Sequence, residues 1–322
     1  MVRFLISRLV WAVPVVLVIL VFNFVLTRLA PGDPITAIVG EYPAPEAYIA
    51  QLREALGLDQ PIWVQLWLYL GNVFQGDLGY SFANRQPVLD LIMVRAGNTL
   101  ALMVPGLILA SVLGVVLGRL SLLAQGRFLD NLLTGISLFG YSVPVFWFGQ
   151  ILIILFAVEL QVLPAQGMRS LRPDGPVWLD YLAHWALPGF VVTIFYAAIV
   201  ARVARASLKD AATGDYVLTA LAKSGSDRRV FWRHVLPNGL IPIISVIGYN
   251  FGLALTGAIL VESVFAWPGL GSLFMQSIIT RDYATLQGIF ILAGASVVFA
   301  NIITDALYGV VDPRVRHGSH GR

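Results

Sequence analysis

The sequence predicts an all-α membrane protein of six transmembrane helices, with a helical loop on the external side after the first span. Three observations carry that reading. Of 322 residues, 58% are hydrophobic and only 12% charged, about half the charged share of a soluble domain. Six stretches free of Asp, Glu, Lys and Arg approach or reach the roughly 20 residues that a helix needs to cross a bilayer core. The basic residues collect on alternate connections between those stretches.

The spans fall at residues 9–27, 96–118, 132–158, 185–201, 237–261 and 284–304. The first follows Arg3 and Arg8 and resembles a signal peptide. Its apolar run from Leu9 to Leu26 exceeds a 7–15-residue signal core, and no A-x-A pattern follows, so it is read as a retained span. Residues 1–30 then form the N-terminal helix, 31–95 the external loop region, 96–310 a five-helix core and 311–322 a tail. With the N-terminus inside, cytoplasmic segments hold 14 of the 21 basic residues. The positive-inside rule therefore puts both termini in the cytoplasm of a multi-pass inner-membrane protein.

Several spans carry small residues at helical spacing: Gly106, Ala110, Gly114 and Gly118 in the second, Gly248 and Gly252 in the fifth. Small residues let helix backbones approach where lipid gives no hydrophobic reason to associate. They predict packing inside one subunit or across a subunit interface. Pro105, Pro144, Pro188 and Pro242 lie in or near spans and predict kinks. In the external loop, residues 46–56 read as a short helix ended by Gly57, and 61–70 as a second helix opened by Pro61. Trp63, Trp67 and Tyr69 suit a membrane interface.

Chemistry is scarce. The absence of cysteine removes disulfides, thiolate catalysis and cysteine-ligated metals. The chain has no H-E-x-x-H, G-x-S-x-G or phosphate-cradling P-loop motif. No basic stripe marks a nucleic-acid binder. Of four histidines, His184 and His234 are isolated, while His317 and His320 lie in a polar tail that is solvated or binds metal weakly. Glu159, Glu262 and Asp305 sit at span edges, and no carboxylate pair or lysine occupies a span centre. Ion-coupled carriers need such groups, so a proton relay, a catalytic site and a metal site are not expected, and energy must come from a partner.

The cytoplasmic loop 206–236 is the candidate receiver. Its segment DYVLTALAKSGSDRRVFWRHVLPN, residues 215–238, is too polar to span and too patterned for random coil. Asp215 can cap a helix over 216–223, Gly225 can end it, and Ser226 can cap the next with Asp227 in its first turn. The small Ala220 and Ala222 permit close docking into a partner groove, and Lys223, Arg228 and Arg229 can meet acidic groups. A basic helix lying on anionic lipid reads the same segment equally well.

At this point the chain resembles the inner-membrane permeases of ATP-binding-cassette importers, in particular the B-type subunit of the oligopeptide, dipeptide and nickel group. The resemblance runs over nearly the whole chain. It is carried by the opening RLVWAVPVVLVILVFNFVLTRLAPGDP with Pro31-Gly32-Asp33-Pro34, by LGLDQPIWVQLWLYL and GDLGYSF, by residues 215–238, by VESVFAWPGLG from Val261 to Gly271, by TRDYATLQG from Thr280 and by the final YGVVDPRVR. Two positions depart: Ser224 stands where the group usually has glycine, with Gly225 one place later, and Leu221 stands where arginine is common.

The resemblance implies a type I importer permease fold and half of a path for di- or oligopeptides. Nickel chelates, glutathione or oligosaccharides are alternative cargoes. It implies a second homologous permease, two cytoplasmic ATPase subunits or domains, an external solute-binding protein and membrane lipid as partners. ATP and Mg would bind the ATPases, with no cofactor on this chain. Asp215, Thr219, Ala220, Ala222, Lys223 and Gly225 would make the ATPase-coupling contact. Glu262, Phe265, Pro268, Gly269 and Gly271 would shape the external mouth or the binding-protein dock, or simply form a tight Pro-Gly turn between spans. A secondary carrier or channel, a structural membrane protein and a membrane enzyme are the rival classes.

Overall fold

The computed structural model describes residues 2–29, 35, 45–55, 57–173, 175–224, 226–256 and 258–311. Gly225, the Pro31–Pro34 motif and the C-terminal tail with His317 and His320 lie outside them.

Helix α1 spans Val2–Leu29. Two short helices follow, α2 (Glu46–Ala55) and α3 (Ile62–Phe74), then a two-stranded antiparallel ribbon, β1 (Tyr80–Ser81) with β2 (Gln86–Pro87). The loop helices thus form where expected. Gly57 takes φ +61° just past α2, with Leu58 N–H donating to Arg53 O at 2.9 Å, the left-handed closure for which glycine has no steric cost. Trp63 and Trp67 point outward, as an interface requires. Tyr69 instead turns in, and its hydroxyl meets Asn23 Nδ2 at 3.3 Å. The same Asn23 amide donates to Gln287 O at 3.1 Å, which pins α1 to the last helix.

Helix α4 (Val88–Leu123) begins ahead of the predicted boundary at 96 and runs 36 residues through Pro105. It packs along α7 (Val177–Ala212), also 36 residues, in the most extensive helix contact of the molecule. The small-residue stripe faces this seam. A Cβ at Gly106, Gly114 or Gly118 would come within 2.6–2.7 Å of Val192, Val200 or Ala204, and Ala110 is fully buried. The spacing of four therefore serves packing within the chain. Gly248 and Gly252 do the same for α10 (Leu236–Gly252) against Thr304 and Ala300 of α13 (Tyr283–Val311).

The third predicted span, 132–158, is not one straight helix. Helix α5 (Phe128–Ser142) and helix α6 (Val145–Leu152), which continues as a π-helical stretch over Ile153–Glu159, meet at 98°. Pro144 causes the break: the residue before a proline is pushed out of the helical region, and Val143 sits at φ −76°, ψ 128°. The fifth predicted span, 237–261, also differs. Its helix begins upstream at Asp227, as α9 (Asp227–Val230), passes through a π-helical turn at Phe231–Val235 into α10, and stops at Gly252. Pro237 lacks the N–H that an α-helix would use there, and the wider turn lets the helix continue. Beyond Gly252 the backbone turns at 253–256, then forms α11 (Ile259–Val264) and α12 (Leu270–Ile279). Ala254 and Ala258 are buried there. Non-helical backbone at membrane depth is tolerated when protein covers it.

Among the described residues, five helices are long and apolar enough to cross a membrane, and the α5–α6 pair makes a sixth crossing if its two arms form one span. Three buried clusters fill the interior. One joins α4, α7 and α11 around Phe265 and Trp267. A second joins the start of α4 to α12 and α13. A third lies under the 206–236 loop.

The α4–α7 seam yields a direct expectation. Overpacking a filled contact costs about 1–3 kcal/mol, so Gly114→Val should lower the thermal unfolding temperature of the detergent-solubilised chain. Gly135→Val should leave it unchanged, because no atom lies within 4 Å of a Cβ at Gly135. Equal melting curves for the two variants would mean that the seam does not stabilise the chain.

Candidate functional site

The 206–236 segment forms the expected hairpin. Helix α7 ends at Ala212, with Thr213 N–H donating to Lys209 O at 3.2 Å. Helix α8 (Asp215–Ser224) follows. Asp215 is its first helical residue rather than the residue before it, and an acid in a first turn complements the helix dipole. Tyr216 Oη donates back to Ala211 O at 2.7 Å and fixes the turn. The helix runs through Ser224, and the next begins at Asp227. Ser226 is extended (φ −140°, ψ 111°) but makes no side-chain cap bond.

Helix α8 has two faces. Val217, Ala220 and the half-buried Leu221 turn inward, onto Val200, Ala204, Leu208, Val230, Val235 and Ile243. Leu221 thus serves the apolar cluster. The outward face holds Asp215, Tyr216, Leu218, Thr219, Ala222 and Lys223. The structure therefore brings together four of the six residues expected at a coupling contact, Asp215, Thr219, Ala222 and Lys223. Ala220, expected with them, is only 9% exposed. Alternating it with Ala222 reads as one small patch in sequence, but two residues along a helix turn the side chain by 200°. Leu218 was missed and stands 69% exposed at the centre of the outward face. Its signal was available, since position 218 shares a helical face with 215 and 222.

Polar ties hold the helices beneath this hairpin. Arg205 of α7 pairs with Asp130 of α5, Nη2 to Oδ2 at 2.7 Å, and its Nε donates to Ser121 Oγ of α4 at 2.7 Å. Ser121 Oγ donates to Asp130 Oδ1, closing the triangle. Arg119 of α4 lies over the rings of Phe231 and Trp232, 4.8 and 5.1 Å from their centroids.

The second group of predicted residues lies at the other end of α4. Glu262 is fully buried, and Phe265 is 2% exposed. The Glu262 carboxylate accepts Thr99 Oγ1–H at 2.6 Å and Ser272 N–H at 3.0 Å. It thus caps the N-terminus of α12, where a negative charge is favoured. Gly269 and Gly271 are required by this approach, since a Cβ at either would run into the Glu262 carboxylate or the backbone of Ile259. Ala266 takes the left-handed conformation at φ 46°, and Trp267 N–H donates to Glu262 O at 2.9 Å, which closes α11. Gly269 N–H donates to Trp267 O at 2.8 Å around Pro268, so the tight Pro-Gly turn is real. Three partners were missed. Trp267 is fully buried and donates Nε1–H to Asn98 O at 2.8 Å. Asn98 Nδ2 donates to Pro268 O at 2.8 Å. Thr99 Oγ1 accepts Leu270 N–H at 2.8 Å. No sequence spacing links positions 98–99 to 262–272; the only signal was the polar pair Asn98-Thr99 near the head of an apolar run.

Residues 106–317 match the family of binding-protein-dependent transport system inner membrane components, and residues 1–103 match the N-terminal region of such components. The chain is similar to the dipeptide transport system permease protein DppB of Escherichia coli (strain K12). The two are 35% identical over 337 residues, which cover 98% of this chain and 99% of that protein. It is also similar to the glutathione transport system permease protein GsiC of Escherichia coli O6:H1, 36% identical over 318 residues, covering 98% of this chain and 100% of that one. Among solved structures, a chain of the MetNI methionine ABC transporter in an inward-facing conformation superposes with a TM-score of 0.55 at 16% identity. It covers 69% of this chain and 96% of that chain, a likeness of fold.

The buried carboxylate makes a prediction. Removing it strands the Ser272 N–H and the Thr99 hydroxyl, at about 1–3 kcal/mol for each buried group left unsatisfied. Glu262→Ala and Thr99→Val should each lower thermal stability, and the double variant should lose less than the sum, because both remove the same bond. Strict additivity would show that the two groups do not interact.

Proposed function

Because this chain belongs to the family of binding-protein-dependent transport system inner membrane components, we propose that it forms half of the path by which an ATP-driven importer carries peptides across the membrane. A second, homologous permease supplies the other half. An external binding protein delivers the solute, and two ATPase subunits or domains dock on the cytoplasmic side and carry the ATP and Mg. Peptide is the cargo favoured by the full-length similarity to permeases of dipeptide and glutathione systems, both of which move short peptides.

The observation that carries the coupling role is the two-faced α8. Its inner face packs on the bundle through Val217 and Ala220, so its outer face is turned away from the bundle. Leu218 and Ala222 offer apolar contact, and Asp215, Thr219 and Lys223 surround them with polar groups. A lipid-bound helix would carry its basic residues on both flanks of an apolar face, whereas the outer face of α8 holds a single lysine. Docking on a protein fits it better. Gly225, next in sequence, belongs to the same contact in this reading.

Hairpin, Arg119, Arg205 and the basic residues of α9 cluster at one end of the bundle. Under the positive-inside rule this end is cytoplasmic, and the same rule assigns both termini to the cytoplasmic side. The opposite end, with α2, α3 and the Glu262 motif, is then external. There the motif shapes the outer mouth from within, since Glu262 and Phe265 present no surface to a partner.

Ala222→Trp and Leu218→Asp should abolish recovery of an ATPase with the tagged chain from mild detergent, while membrane insertion persists. Thr213→Ala, outside the outward face, should leave recovery unchanged. If both docking variants still hold the ATPase at parental yield, α8 is not the coupling element.

A further inference from the structure

Helix α4 connects the two regions described above. Near its hairpin end, the Arg119 guanidinium rests on Phe231 and Trp232, whose rings meet edge-on at 5.5 Å. Its Nε is buried without a hydrogen-bond partner, so ring faces, rather than oxygen acceptors, hold that part of the cation. The two aromatic residues open the π-helical turn through which the hairpin returns to α10. Such turns are frequent at functional sites. Towards the other end of α4, Asn98 and Thr99 bond to Pro268, Trp267, Leu270 and Glu262. Residues 99 and 119 stand about 30 Å apart along a helix, the thickness of a bilayer core. Between them the Gly106–Gly118 stripe packs closely on α7.

We propose that Arg119 is a positioning residue that transmits displacement of the coupling hairpin to α4, and that α4 acts as a strut carrying the displacement to the Glu262 motif. The proposal rests on the importer reading. The Asp130–Arg205–Ser121 triangle ties the same end of α4 to α5 and α7, but not to the hairpin. Arg119 supplies the charged contact onto the hairpin rings, with Val115 and Leu122 packing beside it on the apolar cluster. A planar guanidinium stacks on rings in a way that an ammonium reproduces only in part and a neutral amide not at all. Coupling between distant sites needs a physical chain of this kind, and it must be shown by coupling measurements rather than by position alone.

The chain has no cysteine, so single reporters can be attached cleanly. Fluorophores would be placed at Arg229→Cys on the hairpin and at Ser263→Cys on α11, both exposed positions. The complex with its ATPases and second permease would be held in lipid nanodiscs and given Mg-ATP. The parent should respond at both positions. Arg119→Gln should keep the hairpin response and lose the one at Ser263→Cys, and Arg119→Lys should retain part of it. Phe231→Leu and Trp232→Leu should act like Arg119→Gln, with no further loss when combined with it. A parental response at Ser263→Cys in Arg119→Gln would overturn the strut role and leave the importer reading intact. Should that variant fail to assemble, a parental response in both aromatic variants would overturn the strut role in the same way. Silence at both positions in the parent would sink the importer reading and this proposal with it.

Discussion

The α4–α7 seam is the contact on which the rest of the molecule depends. In lipid, apolar side chains gain little by leaving one apolar surface for another, so helices associate through close packing and internal polar bonds. Gly106, Ala110, Gly114 and Gly118 bring two 36-residue helices together along most of their length. Two of the buried clusters are built directly on that pair. The hairpin cluster sits on Val200, Ala204 and Leu208 of α7, and the opposite cluster sits on Leu102, Met103 and Leu107 of α4.

Polar groups then fix what the seam leaves free, and they do so at the ends. Asn23 secures α1 against α3 and α13, Asp130 and Arg205 join α5 to α7, and Glu262 with Thr99 joins α11 and α12 to α4. A buried charge is tolerable only when paired and hydrogen-bonded. A helix end provides donors for a carboxylate at Glu262, and a guanidinium provides them at Asp130. The span centres carry packing and the span ends carry specificity.

Much of this was legible in the sequence, for physical reasons. Span positions follow from charge exclusion, the seam follows from small residues at a spacing of four, and the hairpin follows from a segment too polar to span and too patterned for random coil. What escaped required partners distant in sequence or the response of the backbone to proline. Pro105 and Pro188 lie within long helices that continue, whereas Pro144 turns the chain by 98°. The α4–α7 pair is in contact on both sides of Pro105 and Pro188, through Tyr181 and Trp185 to residues 101–102 and through Val192 to Gly106. Pro237 was read as a boundary, yet a π-helical turn absorbs it. Ala220 was expected at the coupling contact for its small size and from the resemblance, and neither says which face of the helix meets the body.

The Glu262 motif is held together by bonds among its own residues and the head of α4. Between Gly252 and Leu270 the backbone is mostly outside long helices, and each exposed N–H or C=O at that depth needs a partner. Gly167 N–H meets Phe265 O at 2.8 Å, Trp267 N–H meets Glu262 O, Asn98 meets Pro268 O, and Ser272 N–H meets the carboxylate. Replacing either glycine blocks the approach of the carboxylate, and replacing Trp267 removes the indole donor to Asn98 O. The residues are therefore constrained by one another before any solute arrives.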